Sequence, residues 1–99
     1  MRFERDEAKN KENIRKHGID FADAQEGFQG PLLVEVDTRQ EYGEDRWIGI
    51  GSLQKRKLVV VIVFTEREPE AIRVISLRKA KKHEKERSEE AVRDRLETS

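Results

Sequence analysis

The sequence predicts a small α+β domain with two N-terminal helices, a four-stranded, mainly antiparallel sheet, and a C-terminal helix or helices. Three observations carry this prediction. Capped segments with helical spacing fill the opening, up to Phe28. Short apolar runs separated by Gly, Pro and polar turns follow, from Pro31 to Leu77. From Arg78 the chain is highly charged with a thin apolar stripe. A chain of 99 residues suffices for one modest core. Residues 1–99 are therefore expected to form a single domain, helical over 1–28, sheet over 31–77 and helical over 78–97.

The elements follow in order. Asp6 is placed to cap a first helix, and Ala8 to Lys16 contains no breaker. His17-Gly18 reads as its stop, with Gly18 in the left-handed position. Asp20 is placed to cap a second helix whose Phe21, Ala24 and Phe28 share one face. Leu32 to Val36 is the first expected strand, and Gln40 to Asp45 a polar turn around Gly43. Arg46 to Ser52 is the second, with Ile48 and Ile50 on one face and Trp47, Gly49 and Gly51 on the other. Lys57 to Phe64 is the third, apolar on both faces and so expected at the centre of the sheet. Glu66 to Glu70, with Pro69, is a turn, and Ala71 to Leu77 the fourth strand. Short connections make an antiparallel meander the simplest topology. In the charged tail, Ser88 caps or interrupts a last helix, Glu89 to Leu96, with Ala91, Val92 and Leu96 as its apolar face.

Composition excludes several classes. The chain is 34% hydrophobic and 42% charged, yet its apolar residues are gathered in runs, which argues against disorder. Net charge is zero, so any attraction to nucleic acid must come from local segregation. Such segregation exists: Arg73 to Arg87 holds seven basic and two acidic residues, whereas Pro31 to Asp45 holds five acidic residues and Arg39 alone. Basic residues 78, 82 and 85 share a helical face, read either as a phosphate-attracting surface or as a solvated face with internal ion pairs. Without cysteine there are no disulfides or thiolate metal sites, which fits a reducing, cytoplasmic setting. The opening MRFERDEAKN does not read as a signal peptide, and Leu58 to Phe64 is too short to cross a bilayer. No phosphate loop or dinucleotide fingerprint occurs. His17 and His83 lack metal-ligand spacing, and no serine sits on a nucleophile elbow. Electrostatic chemistry by arginine and lysine, with or without a histidine, remains; no metal or cofactor is expected.

Four segments carry a family resemblance. FERDEAKNKENIRKHGIDFADA supplies Phe3, Asp6, Lys9, Asn13, Lys16, His17, Gly18, Ile19, Phe21 and Ala24; RWIGIG supplies Arg46; VVVIVFTER supplies Thr65 and Arg67; RVISLRKAKKHE supplies Arg73, Ser76, Arg78, Ala80 and Glu84. In this order and at these spacings they resemble the BrnT family of toxins, whose fold is similar to that of the RelE ribonucleases. Three positions depart from the family pattern: Arg5 stands at a usual tryptophan, Leu77 at a usual small residue and Ser88 at a common tyrosine. The resemblance implies a ribonuclease toxin of a type II toxin–antitoxin system that inhibits translation. It implies a BrnA-like ribbon-helix-helix antitoxin as partner, contact with operator DNA only through that complex, and a homodimer or a heterotetramer with the antitoxin.

RNA is cut without metal when its 2′-hydroxyl attacks the adjacent phosphate in line. The enzyme must position the strand, stabilise charge on the phosphoryl oxygens and move protons. Arginine suits the second task, because its fork binds phosphate oxygens bidentately and keeps its charge. Arg46, Arg67 and Arg78 are therefore the expected catalytic cations, at or near strand ends. His17 is either the acid or base, or a helix-terminal residue holding free carbonyls. Lys16, Thr65, Arg73, Lys79, Lys82 and Glu84 are candidate RNA contacts. For Glu84 the competing role is an ion pair with Arg78 or a strand arginine; for Thr65 it is holding the turn, and for Arg73 pairing across the sheet. Trp47 reads as core or interface before base stacking. The alternatives are a non-catalytic module, the partner-bound half of a DNA-binding repressor, and a structural interaction domain. Convergence of Arg46, Arg67 and Arg78 with His17 on one groove separates the enzyme from both.

Overall fold

The computed structural model describes residues 2–67 and 70–98, with side chains as far as residue 94. The expected turn residue Pro69 and the Leu96 side chain lie outside the described residues. The fold is α+β, with a five-stranded mixed sheet and three α-helices. The strands are β1 (Arg2–Glu4), β2 (Leu33–Val36), β3 (Trp47–Leu53), β4 (Leu58–Arg67) and β5 (Ala71–Lys79). The helices are α1 (Glu7–His17), α2 (Ala24–Gly27) and α3 (Lys82–Thr98). The sheet order is β1-β5-β4-β3-β2, so β2 to β5 form the expected antiparallel meander, with the apolar β4 at the centre.

Four expectations need correction. Glu66 and Arg67, expected in a turn, are the last residues of β4, because Ile72 and Ala71 of β5 pair with them. A fifth strand, β1, pairs in parallel with β5, Phe3 opposite Ile72. It carries one apolar residue and no alternation, and is extended because the outer edge of β5 offers it backbone partners. The second N-terminal helix is a 3-10 turn, Phe21–Asp23, followed by the single turn α2. Finally, residues 78 and 79 are strand, not helix. The long β4 presents Val61 and Val60 to Arg78 and Lys79, and the Ala80 amide bonds the Val59 carbonyl at 2.9 Å. The ladder claims these residues, so Arg78 cannot share a helical face with Lys82 and Lys85. One helix then runs unbroken through Ser88.

Local caps behave as the sequence indicates. Asp6 accepts from the Lys9 amide at 3.1 Å, and Gly18 ends α1 at φ 70°. Asp20 accepts from the Ala22 amide at 2.8 Å. Asn13 ties α1 to the sheet from a buried position: its Nδ2 donates to the Ile19 carbonyl at 2.9 Å and the Leu77 carbonyl at 2.8 Å, and its Oδ1 accepts from the Leu77 amide at 3.1 Å. One carboxamide thus satisfies both backbone groups of Leu77 beyond the end of β1.

The sheet has two unlike faces. Val60, Ile62 and Phe64 of β4 join Ile72, Val74 and Leu77 of β5 in the main core, with Phe21 and Ala24 above them. Close approach on that face needs bare backbone. A Cβ on Gly51 would lie 2.8 Å from Leu32 Cδ1 and 3.2 Å from the Gly27 carbonyl oxygen. The opposite face carries Ile50, Val61, Val63 and Thr65, all buried. Here α3 packs toward β2: Ser88, Ala91 and Val92 share a small cavity with Leu32 and Leu33, and Arg87 meets Glu35 at 3.0 Å. Among the described residues no helix is long and apolar enough to cross a membrane.

Candidate active site

The register of β4 and β5 decides which side chains gather. Opposed residues on neighbouring strands share a face. Thr65 lies opposite Arg73, Val63 opposite Ser76 and Val61 opposite Arg78. An irregularity between Val63 and Phe64 keeps this phase although Ile75 is inserted. Arg67, two residues beyond Thr65, is on the same face. Three of the expected cations, Arg67, Arg73 and Arg78, therefore belong to the face opposite α1 and α2.

The loop between β2 and β3 closes back on itself and delivers Arg46. The Asp37 amide donates to the Arg46 carbonyl at 2.8 Å. The Asp37 carboxylate is fully buried; it accepts from Arg39 Nε and Nη2 at 2.8 and 2.7 Å, from the Arg39 amide at 3.1 Å and from the Tyr42 hydroxyl at 3.0 Å. Arg39 above all holds the Asp37 carboxyl well below the usual carboxylate range. The Arg46 guanidinium lies 4.0 Å from the centre of the Tyr42 ring, a cation–π contact that fixes its plane. The Thr65 hydroxyl donates to the Asp45 carbonyl at 2.8 Å and fastens the loop to β4. Thr65 is buried, so its hydroxyl holds the turn.

Glu44 joins the two arginines at this end of the sheet. Its Oε2 lies 3.5 Å from Arg46 Nε, and its Oε1 lies 3.7 Å from Arg67 Nη2. Both separations are within ion-pair range, yet neither is a hydrogen bond, and Arg46 Nε is buried with no hydrogen-bond partner. Such a donor is under-satisfied, with the Glu44 carboxylate as its nearby counter-charge. A cleft of about 750 Å³ opens beside Tyr42, Glu44 and Arg46. A second depression of about 340 Å³ lies between Glu44, Trp47 and Arg67. Trp47 is half-buried and packs on the core.

At the other end of β5, Arg78 and Glu84 meet fork to fork, with two bonds of 2.8 Å. Glu84 also accepts from the Lys81 amide at 2.8 Å, closing half of a capping box at the start of α3. Arg78, with help from that amide, draws the Glu84 carboxyl down to about 2. Glu84 is thus an ion-pair partner and a helix cap. Arg39 is near enough to Arg78 to act on it by like-charge repulsion. Lys79 and Lys82 are exposed, at the end of β5 and the start of α3.

The four residues expected to converge do not all do so: Arg46 and Arg67 meet at Glu44, whereas Arg78 is paired with Glu84 and neither it nor His17 is brought to the Arg46–Arg67 end. Arg67 is opposite Ala71, whereas Asn13 of α1 binds Leu77, six strand residues away. That separation is roughly 20 Å at the rise of a strand, and His17 lies one helical turn further on. His17 is exposed, and Lys16 beside it pairs with Glu12 at 3.6 Å. Asp37, Tyr42 and Glu44 are the components the sequence reading passed over. The available signal was the run of acids immediately before Arg46, read only as local charge. Among the described residues no group of three or more His, Asp or Glu is arranged to hold a metal ion.

The family model of the ribonuclease toxin BrnT of type II toxin–antitoxin systems matches residues 6–84. The crystal structure of the Brucella abortus ribonuclease toxin BrnT is similar over 83% of this chain and 99% of that one, with 30% identity and a TM-score of 0.65. No curated protein sequence matches the chain. The fold and its match define a toxin of a type II toxin–antitoxin system, a class that implies an antitoxin partner. The chain belongs to the BrnT family of ribonuclease toxins. Its departures from the pattern have structural places. Arg5 pairs with Glu7 at 2.8 Å and Asp20 at 3.3 Å, Leu77 is fully buried in the core, and Ser88 lines the small cavity under α3.

Proposed function

We propose that residues 1–99 act as one RelE-like endoribonuclease toxin domain that cuts RNA without metal and is neutralised by a BrnA-like ribbon-helix-helix antitoxin. The observation that carries this reading is the pair Arg46 and Arg67, held on either side of one carboxylate at an open end of the sheet. Two guanidiniums spaced around one anion suit a phosphodiester, whose non-bridging oxygens gain charge as the 2′-oxygen attacks phosphorus. Arg46 is held by the Tyr42 ring, which limits the reorganisation needed when the phosphate arrives. Arg73 extends the cationic face along β5, and exposed Lys79 and Lys82 continue it toward the flanking phosphates. In this reading Arg78 and Glu84 hold α3 to the sheet, and the exposed His17 is outside the reacting group. Operator DNA is met only through the antitoxin complex.

The test uses purified full-length chain and a labelled RNA in EDTA. Cutting is expected to persist in EDTA and to disappear in the Arg46→Ala, Arg67→Ala double variant, with the fold intact by circular dichroism. Undiminished cutting by the double variant sinks the site, and cutting that stops in EDTA and returns with a divalent ion sinks the metal-free reading.

A further inference from the structure

We infer that Glu44 is the general base that takes the proton from the attacking 2′-hydroxyl; this rests on the arginine site proposed above. The reaction needs a proton acceptor beside the phosphate. His17 is about a strand length away, as the Asn13–Leu77 bond fixes. Glu44 touches both arginines, one with each carboxylate oxygen. Asp45 and Glu66 line the same depression, but the described ion pairs of Arg46 and Arg67 are both to Glu44.

The quality of those contacts supports a reactive role. At 3.5 and 3.7 Å neither arginine forms a hydrogen bond with Glu44, so its lone pairs are not consumed as those of Glu84 are by Arg78 at 2.8 Å. Its side chain is one-third exposed, reachable from solvent and from the cleft. A phosphate drawn to Arg46 and Arg67 arrives against this carboxylate, with the neighbouring 2′-hydroxyl within reach of one of its oxygens.

The step balances without a co-reactant. The 2′-O–H bond breaks and its proton passes to a Glu44 oxygen. The 2′-oxygen forms a bond to phosphorus, the P–O5′ bond breaks with its electron pair on O5′, and O5′ takes a proton from water. The products are a 2′,3′-cyclic phosphate and a 5′-hydroxyl end. Protonated Glu44 then returns its proton to solvent.

The experiment compares the unsubstituted full-length chain with Glu44→Gln, Glu44→Asp and Arg67→Ala on one short labelled RNA under single-turnover conditions. Affinity is read separately on a 2′-deoxy analogue that cannot react. Glu44→Gln is expected to lower the cleavage rate about 100-fold or more, within the range for loss of a general base. It should leave affinity unchanged or tighter, because a competing negative charge leaves the phosphate site. Glu44→Asp should retain more activity than Glu44→Gln, and mass spectrometry should find the cyclic phosphate. Wild-type cutting by Glu44→Gln, with Arg67→Ala inactive, overturns the role of Glu44 alone and leaves the arginine reading standing. A slow Glu44→Gln with equally weakened affinity also overturns it, making Glu44 a spacer for the arginines. If Arg67→Ala cuts normally, or the unsubstituted chain does not cut, the site reading fails and this inference with it.

Discussion

Two arginine–carboxylate groups occupy opposite ends of the β4–β5 pair and are built in opposite ways. At one end Arg78 and Glu84 share two bonds of 2.8 Å, and Glu84 spends a third on the amide that starts α3. At the other end Glu44 lies 3.5 and 3.7 Å from Arg46 and Arg67 and hydrogen-bonds to neither. The first group is saturated: every short bond serves to hold the helix on the sheet. The second is assembled but unsaturated, with a buried donor at Arg46 Nε that lacks an acceptor. Residue types are the same in both. The difference is whether the surrounding backbone completes the bonding or leaves it incomplete.

The largest expected effect breaks the open end. Arg67→Ala should reduce RNA cutting about 100- to 1,000-fold, the range for deleting one donor to a developing oxyanion. Its side chain is 43% exposed and loosely paired, so unfolding free energy should change by less than about 0.5 kcal/mol. The check is a cleavage rate and a urea melt on the same preparation. A drop in stability matching the drop in activity makes this end structural as well and removes the contrast.

Breaking the closed end should give the reverse pattern. The Glu84 side chain is only 13% exposed, and Glu84→Gln leaves Arg78 without its anionic partner. A loss of roughly 1–3 kcal/mol is expected, the range for hydrogen bonds to charged groups. Cutting well below the melting temperature should be little affected. The pH dependence provides a sharper form. The folded Glu84 carboxyl is drawn from 4.5 down to about 2, so its stabilisation is complete above about 4.5 and is lost as pH falls through about 2. The stability gap between wild type and Glu84→Gln should therefore be constant near neutrality and close between these values. A gap unchanged at pH 2 excludes the ionised pair as its source.

The sequence shows this contrast only in part, for reasons of range. Asp6, Gly18 and Asp20 are legible because a cap is a bond between neighbours two to four residues apart. The meander was legible because Val and Ile runs of strand length were separated by turn signals. β1 was not, since three residues with one apolar side chain become a strand only through the distant edge of β5. Lys79 reads as helix because it stands at the start of the charged C-terminal run, while the partner that claims it, Val60, is remote in sequence. The arginines of the site were visible as residue types. Glu44 was not, because its contact with Arg67 depends on the loop closure from Asp37 to Arg46 and on the Thr65 bond to Asp45. His17 shows the converse: its chemistry suits the reaction, but the anchoring of α1 by Asn13 keeps it at the other end of β5.

The smallest effect asks whether short distance alone makes an ion pair matter. Arg87 and Glu35 meet at 3.0 Å, nearly as close as Arg78 and Glu84, but each side chain is 49% exposed. Water competes for both groups, and two long side chains lose rotamer freedom on pairing, so the net gain should be about 0–1 kcal/mol. A double-mutant cycle with Arg87→Ala and Glu35→Ala should give a coupling in that range that fades with added salt. The corresponding cycle at Arg78 and Glu84 should give a larger coupling that resists salt, because the carboxylate is shielded and also bound by the Lys81 amide. If the two cycles agree, burial and the third bond add nothing, and the closed end owes its rigidity to the apolar contacts of α3 instead.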